Sequence, residues 1–83
     1  MREIDPVSGW ANQVRKHIRG VLFGREIRAT EVARRCGWSQ SYIAHRLSPR
    51  GTYPLSVADI EAIATAIGVA PEDLIPTRQE IAA

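Results

Sequence analysis

Apolar residues recur at helical intervals in five stretches of the chain, each bounded by residues that start or stop helices. Trp10, Val14, Ile18, Val21 and Leu22 form the first stripe, which predicts a helix with one buried face. Asp5 and Pro6 open it, as N-cap and first helical residue. Gly24 is the expected stop, and Gly20 is a weak point inside. Arg15, Lys16 and Arg19 fall mostly off the apolar face and read as solvated.

A second helix is expected from Ala29 to Cys36, with Val32, Ala33 and Cys36 inward. Its start is poorly marked, because Arg28 is a poor N-cap and Thr30 comes two residues late. Gly37 ends it. Ser39 then caps a third helix running to Leu47, and Trp38 and Ile43 bracket the cap as a hydrophobic staple. Ile43 and Leu47, one turn apart, face the core.

Ser48 to Pro54 is a loop with two prolines and a glycine. Ser56 and Asp59 form a variant capping box, with Leu55 and Ile60 as its staple. Val57, Ile60, Ile63, Ala64 and Ile67 are the inner stripe of the fourth helix, which Gly68 ends. Pro71, Glu72 and Asp73 open a short fifth helix, Leu74 and Ile75 pack back, and Pro76 closes it. The expectation is an all-α domain over residues 1–76 with a short tail, 77–83. No strand alternation or repeat is present in the pattern.

Composition narrows the class. A chain of 83 residues with 45% hydrophobic and 24% charged residues is one small globular domain. One cysteine allows no internal disulfide framework. There is no apolar run of the roughly 18–20 residues a membrane span needs, and MREIDPVSGW has no signal-peptide core. The expected setting is cytoplasmic. Net charge is +2, but residues 1–50 hold ten cations against four anions, a net +6, while residues 51–83 hold one against five, a net −4. Nearly all the cations are arginine, whose planar fork pairs bidentately with phosphate. This asymmetry fits a polyanion-facing side and a separate acidic side, although a solvated basic face is the plain alternative.

The informative stretch is ATEVARRCGWSQSYIAHRL, Ala29 to Leu47. Two helices are separated only by a glycine turn. Ala33 is small where the helices would cross, Gly37 can take the positive φ of the turn, and Ile43 anchors the second helix on the first. This is helix-turn-helix spacing at about 29–47, a motif whose second helix enters the DNA major groove.

From about Val14 to Ile75 the chain resembles the lambda-repressor-like class, which includes Cro and the xenobiotic-response-element-type regulators. The carriers are EVARRCGWSQSYI at Glu31–Ile43, LSVADIEAIATAIGV at Leu55–Val69, and PEDLI at Pro71–Ile75. The loop and WSQSY are also similar in style to small phage and actinobacterial regulators. The resemblance implies a five-helix bundle that binds double-stranded operator DNA, usually as a dimer. It places Gln40, Ser41, Ala44 and His45 on the groove-facing side of the recognition helix, residues 39–47. Gln pairs bidentately with adenine, and Ser serves several bases or a phosphate. Candidate phosphate contacts are Arg28, Thr30, Ser39, Tyr42, Arg46, Arg50 and Tyr53. Two positions depart from the family. Ala29 stands where it often has a bracing Gln, so Arg28 or Thr30 would supply the brace. Arg46 stands where it usually has an apolar residue, so either Leu47 fills that core site or Arg46 points to DNA.

Other features read as structural. Cys36, Trp10 and Trp38 are expected in the core. His17, His45 and Cys36 have no metal-ligand spacing. No nucleophile–base pair, phosphate-cradling loop or carboxylate pair is evident, so neither an enzyme nor a cofactor is expected. No membrane or small-molecule partner is expected either. The resulting expectation is a phage-type Cro or immunity repressor that blocks transcription by occupying an operator. Its acidic half would face away from DNA and offer Ile75 and Ile81 to a homodimer. An antitoxin-like protein-binding module and a DNA-bending recombination-directionality factor are the alternatives on the same fold.

Overall fold

The computed structural model describes residues 9–48 and 53–76. In it, α1 (Gly9–Gly24) turns Val14, Ile18 and Leu22 inward, one every helical turn. α2 (Ala29–Cys36) and α3 (Gln40–Leu47) pack on one another as the two arms of the helix-turn-helix. α4 (Val57–Ile67) covers α2, and a 3-10 turn (Pro71–Leu74) folds back onto α4 and α1. α1 closes the other side against α3. The largest fully buried side chains are Ile18, Val32, Ile43, Ile63 and Leu74, one from each element. A small chain thus builds one core to which every element contributes an anchor, each worth roughly 1.5–3 kcal/mol of burial.

Three helices end in the same way. Gly37 follows α2 at φ 76° and Gly68 follows α4 at φ 77°, both in the left-handed region. Trp38 N–H donates to the Ala33 carbonyl at 2.8 Å, and Val69 N–H to the Ala64 carbonyl at 3.0 Å. These bonds satisfy carbonyls that the helix itself leaves open. After α1 the left-handed residue is Glu26, at φ 58°, and not a glycine. Ile27 N–H donates to the Leu22 carbonyl at 2.9 Å, completing the same motif. Gly24, the expected stop, is the last residue of the helix.

The described residues contain four α-helices where five were expected. The fifth is one 3-10 turn because Ile75 is already extended, at φ −103° and ψ 122°, as the residue before Pro76 favours. Asp73 supports that turn by accepting from Ala70 N–H at 3.3 Å. Trp10 continues the stripe of α1 but is 54% exposed, one turn beyond the buried part of the helix. Val57 is in phase with Ile60 yet 76% exposed, since the first residue of α4 projects past the edge of the core. Cys36 and Trp38 are only half-buried, packed against the core from outside. Ile75 packs there too and is half-buried, not fully exposed. The start of α1 at Asp5-Pro6, Arg50, and the tail with Ile81 lie outside the described residues. Among the described residues no helix is long and apolar enough to cross a membrane.

Candidate nucleic-acid interface

α3 has two faces. Ile43 and Leu47 are 2% and 3% exposed and hold the helix to the core. Gln40, Ser41, Ala44 and His45 are all exposed and share the opposite side. Their spacing of one, then three, then one residue keeps them on one surface strip. Ser39 fixes where the helix begins. Its Oγ accepts from Tyr42 N–H at 3.0 Å, so the hydroxyl's lone pairs serve the cap. Arg28 and Thr30 are exposed at the start of α2. Arg28 occupies the N-cap position without a side-chain cap, which leaves the first amides of α2 open to another acceptor. Tyr53 is exposed and meets His45 edge to face, with ring centres 5.5 Å apart.

Tyr42 and Arg46, two expected phosphate contacts, are built into a brace behind α3. The Tyr42 hydroxyl donates to Asp59 Oδ1 at 2.6 Å. Its ring packs on Trp38, with centres 4.8 Å apart. The Arg46 guanidinium lies over that ring, 3.7 Å from its centre, and its Nε sits 3.3 Å from Asp59 Oδ2. This ion pair lacks hydrogen-bond geometry, and Arg46 Nη1 donates instead to the Tyr42 carbonyl at 3.4 Å. Arg46 is therefore half-buried where the resemblance has an apolar residue: its stem and the flat guanidinium fill that space against aromatic rings.

Asp59 is the hub of this brace, and only its capping role was visible beforehand. It is 5% exposed. Oδ2 accepts from Ser56 N–H at 3.0 Å while Ser56 Oγ accepts from Asp59 N–H at 3.0 Å, completing the capping box. Burial pushes the carboxyl pKa up. The Tyr42 and Ser56 hydrogen bonds and the Arg46 charge outweigh this and hold it below the ordinary value. The Tyr42 phenol is pushed up, chiefly by its hydrogen bond to the Asp59 carboxylate. One carboxylate thus ties the start of α4 to the middle of α3.

Two arginines of α1 support the other end of α3. Arg15, expected in solvent, is 3% exposed. Its Nη1 donates to the Ser48 carbonyl at 3.1 Å and its Nη2 to the Tyr53 carbonyl at 2.9 Å. Arg19 Nη1 donates to the Leu47 carbonyl at 3.1 Å. Positive charge at a helix C-terminus is favourable, and the planar fork of Arg15 presents a separate terminal nitrogen to each of the two carbonyls. Burial and the neighbouring Arg19 lower the pKa of Arg15. The signal in the sequence is that Arg15 lies one helical turn before Ile18 and two before Leu22, on the buried side of α1.

The histidines and the cysteine go separate ways. His17 Nε2–H donates to the Asp73 carbonyl at 3.0 Å, His45 stands against Tyr53, and Cys36 Sγ donates to the Ala62 carbonyl at 3.6 Å. Arg34 and Arg35 both pair with Glu31, and Arg35 Nη1 also reaches the Ala66 carbonyl at 2.9 Å.

A short second helix presented outward by a glycine turn, and braced at both ends, defines a helix-turn-helix protein of the DNA-binding regulator class. The model of the helix-turn-helix domain family matches residues 23–76, and the chain belongs to that family. Its fold is similar to the crystal structure of a hypothetical transcription factor, NHTF, from Neisseria. The TM-score is 0.70 at 23% identity, over 99% of this chain and 91% of that one. None of the curated proteins matches the chain.

Proposed function

We propose that the protein is a sequence-specific transcriptional regulator that lays α3 in the major groove of an operator and represses by excluding other proteins from it. The observation that carries this reading is the exposed strip Gln40, Ser41, Ala44 and His45 on a helix whose back is fixed by Ile43, Leu47 and the Asp59 brace. A rigid helix with a free polar face is what direct base reading requires. Gln40, in the first turn, reads adenine. Ser41 and His45 flank it, and Ala44 leaves room for a thymine methyl. Arg28, Thr30 and the open amides of α2 take a phosphate, and Tyr53 and Arg50 take others nearby. Tyr42 and Arg46 act behind the helix, holding its angle.

Selection of bound duplexes from a random pool tests this directly. The expected result is a defined site, palindromic if the protein binds as a two-fold pair. Gln40→Ala should then cost about 1–3 kcal/mol on the selected site and relax one base pair. Arg28→Ala should weaken all sequences alike and lower the salt slope by about one. Equal losses on selected and random DNA from Gln40→Ala would overturn the base-reading assignment.

A further inference from the structure

Beside the exposed strip lies an apolar groove of about 820 Å³ between α1, the start of α2 and α3. Gly20 and Phe23 form its α1 wall, and Ile43, Ala44 and Leu47 its α3 wall. Phe23 is 86% exposed, an unusual state for a phenylalanine with an apolar hollow at its side. The size is within the range of roughly 300–1,000 Å³ typical of small-molecule sites. The charged residues that line the groove are Lys16 and Arg19, both cationic, and no carboxylate lines it. Arg19 is anchored through Nη1 on the Leu47 carbonyl. Lys16 is exposed and has no ion pair among the described residues.

We infer that this groove binds an anionic amphiphile, an unbranched medium-chain carboxylate. The chain lies along Phe23, Ile43 and Leu47, and the carboxylate meets Lys16 at the rim. An apolar floor under a cationic rim selects this chemistry over a neutral or cationic amphiphile. Gln40 and Ala44 line the same groove, so the occupied groove shares residues with the strip assigned to bases. The ligand therefore competes with DNA and acts as an inducer. That consequence rests on the proposed function. The binding itself does not.

Gly20 gives a clean test, because a Cβ built there meets nothing within 4 Å and leucine favours a helix interior over glycine. Amide shifts of the labelled protein are followed while sodium decanoate is added below its micelle concentration. Shifts are expected at Gly20, Phe23, Ala29 and Ala44. Gly20→Leu, which fills the hollow, should weaken decanoate at least tenfold without lowering the melting temperature. Lys16→Glu should weaken it about three- to tenfold, and 1-decanol and decyltrimethylammonium should bind more weakly than decanoate. Decanoate should also displace selected duplex from the parent protein but not from Gly20→Leu. Shifts that are absent or scattered, Gly20→Leu binding as tightly as the parent, or no charge preference would each overturn the groove assignment. A dimer in sedimentation that buries the groove would assign it to a second copy and overturn the proposal too. Groove binding without displacement of DNA would overturn only the inducer role. Absence of DNA binding by the parent protein would remove the proposed function while the shift titration still decides the groove.

Discussion

Tyr42→Phe separates a brace from a DNA ligand. The substitution removes one hydroxyl and keeps the ring that packs on Trp38 and under Arg46. The lost bond, 2.6 Å to Asp59 Oδ1, ends on a buried carboxylate. Hydrogen bonds to charged groups contribute about 1.5–3 kcal/mol. Asp59 Oδ2 keeps Ser56 and Arg46, so the carboxylate is not wholly stranded, and the expected loss is about 2 kcal/mol. For a domain this small that lowers the melting temperature by roughly 8–16 °C. The assay is thermal and urea unfolding of the parent protein, Tyr42→Phe, Asp59→Asn and the double variant. The pair should show a coupling energy of about 1 kcal/mol or more. A spectroscopic titration gives a second readout. The Tyr42 phenol ionises above its ordinary value of 10.0 because of the Asp59 carboxylate, and Asp59→Asn should bring it back down. A stability change under about 0.5 kcal/mol with no coupling, alongside weakened DNA binding, would make Tyr42 a phosphate ligand and refute the brace.

Three further outcomes follow from named contacts. Glu26→Gly should raise stability by about 0.5–1 kcal/mol in urea unfolding, because it relieves a left-handed residue while adding some unfolded-state entropy. Arg15→Lys should cost about 2 kcal/mol, since the ammonium ends one bond short of the two terminal nitrogens that reach the Ser48 and Tyr53 carbonyls; a stability equal to the parent's would show the fork to be dispensable. Asp59, with its pKa held below the ordinary 3.8, contributes stability that is full above that value and lost as pH falls through its folded-state pKa. Acid unfolding curves of Asp59→Asn should lack that part of the descent, and a variant curve parallel to the parent's down to pH 2 would contradict it.

The helix boundaries were legible because the punctuation is strong. Ser39, Gly37, Ser56 and Gly68 each do at the backbone what their residue types favour: α2 ends, α3 begins, and α4 begins and ends where those residues place them. α1 ends at Gly24 as expected, but the left-handed residue that completes its cap could not be read from the sequence, because a glutamate occupies the position that glycine normally marks. Trp10 and Val57 show the limit of periodicity: phase tells which side of a helix is apolar, not how far along it the core extends. The outward strip of α3 followed from the motif. The brace behind it did not, because Tyr42, Arg46 and Asp59 meet across two helices, 13 to 17 residues apart in the chain. Nothing local to Asp59 says that its carboxylate, beyond capping its own helix, also holds the next one.

Charge count and charge availability have come apart in the same way. The net +6 of residues 1–50 pointed to a polyanion-facing side. Yet Arg15 and Arg19 are spent on the carbonyls of Leu47, Ser48 and Tyr53. Arg34 and Arg35 are held by Glu31, and Arg46 by Asp59 and Tyr42. Among the described cations, Lys16, Arg25 and Arg28 make no such side-chain contact; Lys16 lines the groove and Arg28 stands at the open start of α2. Three of the seven described arginines, Arg15, Arg19 and Arg46, build the platform for α3, and two more pair with Glu31 on α2. The salt dependence of DNA binding should therefore be modest, reflecting a few phosphate contacts per subunit and not ten. A slope that required most of the arginines would mean that the internal pairs open on binding. Arg46→Gln would then flatten the slope, whereas a brace role predicts that it lowers stability and leaves the slope unchanged.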